Sequence, residues 1–247
     1  MGKRSRRAAT RRSESVGGSG ARQRAERARA KASGPSPLSR LRPLILPAIL
    51  AAAGLAVVWI GVFGSTETGA REQPPPVLGD ASAPVTMVEY GDFQCPSCGA
   101  FFRSIEPQLR AEYIDSGRVR LEWHDFAWIG PESRDAANAA RCAADQGRFW
   151  EYHDLLYRNQ AGENTGTFSK DRLKLLGVTA GLEAAQFERC VDDGTFAGTV
   201  AADMAEVRSL GLRGTPTFII GDQQIVGAQP FETFRAALDA ELAAAGG

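Results

Sequence analysis

Two cysteines, separated by Pro96 and Ser97, lie where a strand-like segment gives way to a helix-like one. Residues 85–90 (VTMVEY) are rich in β-forming residues, and from Pro96 onward apolar residues recur at helical spacing. Cys95 and Cys98 are therefore predicted at a helix N-terminus, where free N–H groups and the helix dipole favour a thiolate. The spacing places Cys98 within disulfide reach, so we expect Cys95 as the nucleophile and Cys98 as the buried resolving partner.

Two other interpretations of this cysteine pair stay open. A zinc site is disfavoured, because Cys142 and Cys190 lack CxxC spacing and the chain holds only two histidines. A purely structural disulfide between Cys95 and Cys98 would add little to the stability of the fold, since it closes a very short loop. We expect a redox pair with no metal and no cofactor, as the sequence shows no cofactor-binding motif.

The surrounding sequence predicts an α/β domain with a helical insertion. Residues 119–126 predict a second strand, and Pro107 is expected to kink the helix that precedes it. Residues from about 129 to 193 are Ala-rich and predict four helices. Residues 214–226 then predict a β-hairpin between two further amphipathic helices.

A run of twenty uncharged residues, 44–63, separates a basic segment from the rest of the chain. At about 1.5 Å per helical residue it spans a hydrocarbon core of about 30 Å, so we predict a transmembrane anchor over residues 43–63. Residues 1–42 hold thirteen Lys and Arg against two Glu, which predicts a disordered cytoplasmic tail and places the remainder outside. A cleaved signal peptide is the alternative, although its basic and apolar regions are normally shorter.

The tail contains no aromatic residue that would stack on bases, so nucleic-acid binding is not expected. Residues 64–79 contain three consecutive prolines and are predicted to form a Pro-rich linker. The working domain is then predicted over residues 80–247, which is long enough for one hydrophobic core.

The combination of these features resembles the DsbA-like branch of the thioredoxin superfamily. It consists of a strand, the motif Phe93-Gln-Cys-Pro-Ser-Cys98, a helix, a helical insertion and Gly214-Thr-Pro216 before a hairpin, over about residues 77–245. The chain is most similar to the membrane-anchored bacterial members. The resemblance implies a thioredoxin fold with an all-helical insertion, preceded by a single transmembrane helix, and activity as an extracytoplasmic thiol:disulfide oxidoreductase.

The resemblance also implies roles for three residues outside the cysteine motif. Thr215 and Pro216 would form the family's cis-proline turn, packed against the Cys95 sulfur and offering the Thr215 backbone to a bound peptide. An ordinary trans proline that opens an edge strand is the alternative. Glu89 matches a buried acidic residue of the family and would act as a proton relay for Cys98. On an alternating strand it would otherwise face solvent.

The dipeptide between the cysteines, Pro96-Ser97, is expected to modulate the reduction potential of the Cys95/Cys98 pair. Pro96 suits the first position of a helix, because its fixed φ is ready for helical geometry. Ser97 departs from the strongly oxidising members of the family, which carry a His at this position. A hydroxyl can donate a hydrogen bond to a thiolate but brings no positive charge. We therefore expect a higher Cys95 pKa and a less oxidising couple than in those members.

The other two cysteines and the aromatic residues near the motif complete the predicted site. Cys142 and Cys190 fall in the helical insertion, and thiols outside the membrane oxidise, so a structural disulfide is expected. A second redox pair is the alternative. An apolar peptide-binding surface is predicted from Phe93, Phe126 and Trp128, together with the Pro216 turn.

These expectations describe a bacterial single-pass membrane protein with a cytoplasmic N-terminus and an extracytoplasmic catalytic domain, held in the bilayer by residues 44–63. Its expected partners are reduced or misoxidised exported proteins and a membrane redox protein that reoxidises it. We expect a monomer. Disulfide formation is the expected activity. A reductant or isomerase of the same fold, and a redox-silent anchored peptide-binding or holdase module, are the alternatives.

Overall fold

The computed structural model describes residues 73–246. The predicted tail (1–42), the predicted anchor (43–63) and most of the predicted linker lie outside this range. Within residues 73–246, no helix combines the length and the apolar character that crossing a membrane requires.

A five-stranded sheet forms the centre of the domain, in the order β1-β3-β2-β4-β5. The central pair, β2 and β3, is parallel, and every other neighbouring pair is antiparallel. The strands are β1 (Val77–Leu78), β2 (Val85–Gly91), β3 (Val119–Asp125), β4 (Thr217–Ile220) and β5 (Gln223–Val226). Strand β2 lies at the centre of the sheet, between β3 and β4. The cysteine motif, which follows the carboxyl end of β2, is therefore held in place by hydrogen-bonded strands on both sides.

Eight α-helices surround this sheet in the described part of the chain. They are α1 (Pro96–Ser104), α2 (Glu106–Leu109), α3 (Pro131–Ala144), α4 (Phe149–Arg158), α5 (Lys170–Thr179), α6 (Ala184–Asp193), α7 (Ala197–Ser209) and α8 (Phe231–Ala245), with a π-helical turn at Arg110–Ile114. The break between α1 and α2 confirms the kink predicted at Pro107, which has no N–H to continue the helix. Helices α3 to α6 confirm the four-helix insertion.

The domain begins earlier than the sequence predicts. Strand β1 pairs with β3, and the Pro76 carbonyl accepts a hydrogen bond from the Trp123 N–H at 3.0 Å. The Trp150 indole N–H donates to the Val77 carbonyl at 2.8 Å. The predicted boundary between a linker over 64–79 and a domain from residue 80 is therefore too late. A two-residue strand is too short to show the alternating pattern from which strands are predicted.

The core is divided between the two faces of the sheet. On one face, Met87, Phe101 and Phe234 belong to a cluster that packs α1 and α8 against the strands. The buried Cys98 and Trp123 belong to a second cluster, which α1 shares with the helical insertion. Tyr90 packs with residues of α7 in a third cluster. The insertion therefore covers the inner side of the cysteine motif and buries Cys98.

Candidate active site

The cysteine motif occupies the junction between β2 and α1. Cys95 is the N-cap residue of α1, and Pro96 follows it in the first turn. The Cys95 N–H donates to the Asp92 carbonyl at 3.0 Å, and the Cys95 carbonyl accepts from the Gly99 N–H at 3.1 Å. Both cysteines are reduced; Cys95 is 7% exposed and Cys98 is fully buried. The arrangement gives one sulfur at the helix end and a second sulfur behind it.

The surroundings of the two thiols shift their pKa values in opposite directions. A hydrogen bond from the Cys98 thiol lowers the pKa of Cys95 to about 6, although burial acts against this shift. The Thr215 side chain and the backbone N–H groups of Cys98 and Ser97 lower it further. Burial raises the pKa of Cys98, and its hydrogen bond to Cys95 and the negative charge there add to the rise. At neutral pH the pair therefore holds a Cys95 thiolate and a Cys98 thiol.

Alkylation of Cys95 in the reduced protein is expected to follow a midpoint near pH 6. The rate with iodoacetamide should rise between about pH 5 and 7 and then level off, whereas an ordinary cysteine titrates near pH 8.5. Because this pKa lies below its unfolded value, the thiolate stabilises the reduced fold above about pH 8.5, and that stabilisation is lost as the pH falls through 6. The Cys95→Ser variant is the control, since its remaining free thiol, Cys98, should not react. A Cys95 midpoint above pH 8 would contradict this assignment.

The turn before β4 lies directly against Cys95. The Thr215–Pro216 peptide bond is cis, so the trans alternative is wrong. As a thiol, Cys95 donates a hydrogen bond from Sγ to the Thr215 carbonyl at 3.3 Å. The Trp128 indole N–H donates to the Thr215 hydroxyl at 3.1 Å. Thr215 thus connects the reactive sulfur to an aromatic side chain at the surface.

The Ser97 hydroxyl has a different partner from the one its position between the cysteines suggests. Its Oγ accepts a hydrogen bond from the Ala228 N–H at 3.3 Å, which ties the motif to the loop before α8. The backbone N–H of Ser97 is the group that acts on the Cys95 sulfur. No imidazolium or other charged group stands between the two cysteines.

Glu89 is buried in the sheet. It lies in β2 opposite Trp123 of β3 and Phe218 of β4, and it is only 1% exposed. Its Oε2 has no hydrogen-bond partner within the described part of the chain. Burial raises the pKa of Glu89, and the Glu106 carboxylate raises it further. The solvent-facing alternative is therefore wrong, and burial favours the neutral, protonated form of Glu89.

Two of the three residues predicted to bind peptide lie in the core instead. Phe93 is 1% exposed and stacks on Trp123 with a centroid distance of 4.8 Å. Phe126 is 5% exposed and packs against Val207. The prediction of a peptide-binding role was wrong for both, since each fills the space between the sheet and a covering helix. Trp128, at 52% exposure, does reach the surface.

A buried carboxylate that the sequence analysis did not single out holds the active-site loops together. Asp92 accepts hydrogen bonds from the N–H groups of Gln94 at 2.8 Å, Trp128 at 3.0 Å and Ile129 at 3.1 Å. The Ser133 hydroxyl donates to it at 2.7 Å. Asp92 therefore fixes the loop before the motif to the loop that carries Trp128. An Asp just before the motif was visible, but its partners lie up to 41 residues away.

A side chain of the insertion also supports the motif from behind. The Gln160 amide donates to the carbonyls of Phe93 and Cys95, both at 2.9 Å. Gln160 follows α4, 65 residues beyond Cys95. No local pattern marks this glutamine, so only the folded chain reveals its contribution.

Cys142 and Cys190 form a disulfide within the insertion. It joins α3 to α6, with a Cα–Cα distance of 5.9 Å. Cys142 is buried, and Cys190 packs at the edge of the same apolar cluster. The bond therefore connects the first and last helices of the insertion.

Comparisons of sequence relate the whole domain to known proteins. A profile of the family described as Thioredoxin matches residues 71–240. Disulfide bond formation protein D of Bacillus subtilis is 30% identical over 170 residues, which cover 68% of this chain and 77% of that protein. The Na(+)/H(+) antiporter NhaA 3 of Salinispora tropica is 34% identical over 171 residues, but the match covers only 25% of that longer protein.

Comparisons with solved structures support the same relationship. The oxidised crystal structure of BdbD from Bacillus subtilis superposes with a TM-score of 0.65 at 29% identity, covering 69% of this chain and 96% of that one. The alpha-DsbA1 structure from Wolbachia pipientis shares the fold, with a TM-score of 0.62 at 21% identity, over 69% and 92% of the two chains. With its reduced cysteine pair beside a cis-proline turn, the chain belongs to the thioredoxin family and is a DsbA-like thiol:disulfide oxidoreductase.

Proposed function

We propose that this oxidoreductase forms disulfides in exported proteins by dithiol–disulfide exchange between Cys95 and Cys98, on the outer side of a bacterial membrane. The observation that carries the proposal is the asymmetry of the pair, a Cys95 thiolate at the helix end backed by a buried Cys98 thiol. A low pKa at Cys95 stabilises the reduced form of the enzyme, and a stabilised reduced form makes the disulfide form an oxidant.

The reaction begins with the oxidised enzyme, in which Cys95 and Cys98 share a disulfide. A substrate thiolate attacks the Cys95 sulfur, the bond to Cys98 breaks, and Cys98 leaves as a thiolate that takes up a proton. A second substrate thiolate then attacks the substrate sulfur of the mixed disulfide, and Cys95 leaves as a thiolate. The substrate loses two electrons and gains a disulfide, while the enzyme retains both electrons in its dithiol. Release is favoured because a thiol with a pKa of about 6 is a good leaving group.

Glu89 is proposed as the proton relay for Cys98. The Cys98 thiolate forms at a fully buried position, where the charged form is unfavourable, so a nearby buried proton donor would assist its protonation. Glu89 lies in β2 behind the motif, and its burial favours the protonated form that can donate a proton. Stopped-flow oxidation of a model dithiol by Glu89→Gln tests the relay. Slower formation of the Cys98 thiol supports it, and an unchanged rate removes Glu89 from the mechanism.

The location on the membrane is part of the same proposal. Residues 43–63 would anchor the chain, with residues 1–42 in the cytoplasm and the catalytic domain, as a monomer, outside. The uncharged run and the basic tail support this orientation. The disulfide between Cys142 and Cys190 supports an oxidising compartment, since such bonds are rare in the cytosol. Labelling of Cys95 in intact cells by a membrane-impermeant maleimide tests it; protection until lysis would contradict it.

The proposed partners follow from the two half-reactions. The electron donors would be reduced or misoxidised exported proteins. Another membrane protein, with a quinone or similar acceptor, would reoxidise Cys95 and Cys98. Relatives named disulfide bond formation protein support this assignment, since a catalyst of disulfide formation needs both a dithiol substrate and an electron acceptor.

Equilibration of the full chain with glutathione buffers tests the direction of electron flow. Alkylation and mass measurement then give the redox state of each cysteine pair. We expect a Cys95/Cys98 couple above about −180 mV, but below the about −120 mV of strong oxidants because Ser97 supplies no charge. The Cys142/Cys190 pair should stay oxidised throughout and serves as the internal control. A couple near or below about −250 mV would instead assign the reductant alternative.

A further inference from the structure

A surface groove of about 600 Å³ lies between α3 and α7, next to the loop that follows β3. Its apolar lining includes Trp128, Val200 and Met204. Three charged side chains, Arg134, Asp135 and Arg208, also line it. A groove of this size accommodates an apolar side chain together with the backbone that carries it.

The groove is joined to the active site by Trp128. The Trp128 indole lines the groove and donates its N–H to the Thr215 hydroxyl at 3.1 Å. The Thr215 carbonyl oxygen in turn lies 3.3 Å from Cys95 Sγ. Asp92 holds the Trp128 loop in this place through the backbone N–H. A polypeptide bound at Cys95 is therefore positioned to continue across the exposed indole into the groove.

The charges of the groove differ from those of the rest of the domain. Residues 73–246 contain 25 Asp and Glu against 15 Lys and Arg. Arg134 and Arg208 are exposed, and neither forms an ion pair among the described residues. Asp135 lines the same groove, so the three side chains leave one net positive charge. An acidic domain that holds two unpaired arginines at the edge of an apolar groove favours a ligand that carries a carboxylate.

We propose that this groove binds the segment of a substrate polypeptide adjacent to its reacting cysteine, and that it selects an apolar side chain followed by Asp or Glu. The inference rests on the proposed function, because it requires that Cys95 form a mixed disulfide with that polypeptide. The apolar side chain would pack on Val200 and Met204, and the carboxylate would accept hydrogen bonds from Arg134 and Arg208. The guanidinium group is suited to this role because it binds carboxylates in a bidentate manner.

The test uses the full chain in detergent and peptides that contain two cysteines. One cysteine is followed by Leu-Asp, Leu-Asn or Leu-Lys, and oxidised glutathione regenerates the enzyme. At low salt we expect kcat/KM for the Asp peptide to exceed that for the Lys peptide by about fivefold, because each exposed ion pair contributes modestly. This preference should weaken as salt is added. Equal kcat/KM values for the three peptides would overturn the proposal.

Variants locate the preference in the groove. The Arg134→Glu, Arg208→Glu double variant should reverse the ranking of the Asp and Lys peptides. Arg189→Glu, at an exposed position of α6, is the matched control and should leave the ranking unchanged. Ala201→Trp, at an exposed position of α7 that lines the groove, should lower kcat/KM for all three peptides severalfold by filling it. A ranking that survives the double variant, or that Arg189→Glu alters equally, would overturn the proposal.

Oxidation of dithiothreitol separates this inference from the proposed function. Dithiothreitol is too small to need the groove, so its rate should be the same in the wild type and in all groove variants. If dithiothreitol is oxidised normally while the peptides show no preference, the groove proposal fails alone. If neither dithiothreitol nor any peptide is oxidised, the proposed function fails and the groove proposal fails with it.

Discussion

Replacing Cys95 with serine is expected to abolish disulfide exchange while the domain stays folded. Cys95 is the proposed nucleophile, because its pKa lies at about 6 and its sulfur stands at the helix end beside Thr215. A serine hydroxyl forms no disulfide, so oxidation of a model dithiol should fall to the uncatalysed rate, a loss of at least about a thousandfold. The substitution is nearly isosteric and fills the same space, so far-ultraviolet circular dichroism should be unchanged.

Replacing Cys98 is expected to have a different outcome. In Cys98→Ser the Cys95 thiolate still attacks a disulfide of oxidised glutathione or of a substrate. No second thiol then resolves the product, so a mixed disulfide at Cys95 should accumulate and be visible on non-reducing gels. Ser97→Ala is the matched control, because it changes a hydroxyl between the cysteines without removing a sulfur. It should retain exchange.

The two variants also decide between catalysis and a binding role. The redox-silent alternative is an anchored peptide-binding or holdase module in which the cysteines only stabilise the fold. If cells that carry only the Cys95→Ser, Cys98→Ser chain keep full function, that alternative is favoured and the proposed exchange is not what the cell requires. Loss of function in a chain that remains folded supports the catalytic role.

The parts of the site that the sequence predicts are those set by neighbouring residues. The cysteine motif can be located because a strand pattern, a proline at the first helical position and the spacing of Cys95 and Cys98 are all local. The helical insertion is predictable for a similar reason, since its helices show sustained periodicity. The role of the Thr215–Pro216 turn came from the resemblance, because no local pattern connects it to a cysteine 120 residues earlier.

The errors occur where tertiary contacts decide the direction of a side chain. Phe93 and Phe126 both leave the regular strands, so the alternation that tells one face from the other no longer applies to them. Their burial depends on Trp123 and Val207, which come from other elements. The contribution of Asp92 was missed for the same reason, because it depends on N–H groups that the fold brings from a distant loop.

Removing the second disulfide is expected to weaken the fold and to spare the chemistry. In the Cys142→Ser, Cys190→Ser double variant, the link between α3 and α6 across 48 residues is lost. Closing a loop of this length stabilises a protein by about 4 kcal/mol in the chain-entropy treatment, whose mechanism is disputed. For a domain of this size we expect the melting temperature to fall by about 10 °C. Ala185→Ser, an exposed change on α6, is the control and should melt close to the wild type.

The same double variant separates the structural role from the alternative of a second redox pair. Cys142 and Cys190 lie on helix bodies, whereas Cys95 gains its acidity from the N-terminus of α1 and from Thr215. Neither insertion cysteine has a CxxC partner, so dithiol oxidation at Cys95 should proceed at close to the wild-type rate below the lowered melting temperature. A variant that melts normally but no longer exchanges would assign electron relay to the pair. Reduced stability with intact exchange places its contribution in the packing of the insertion, which in turn keeps Cys98 buried and its pKa high.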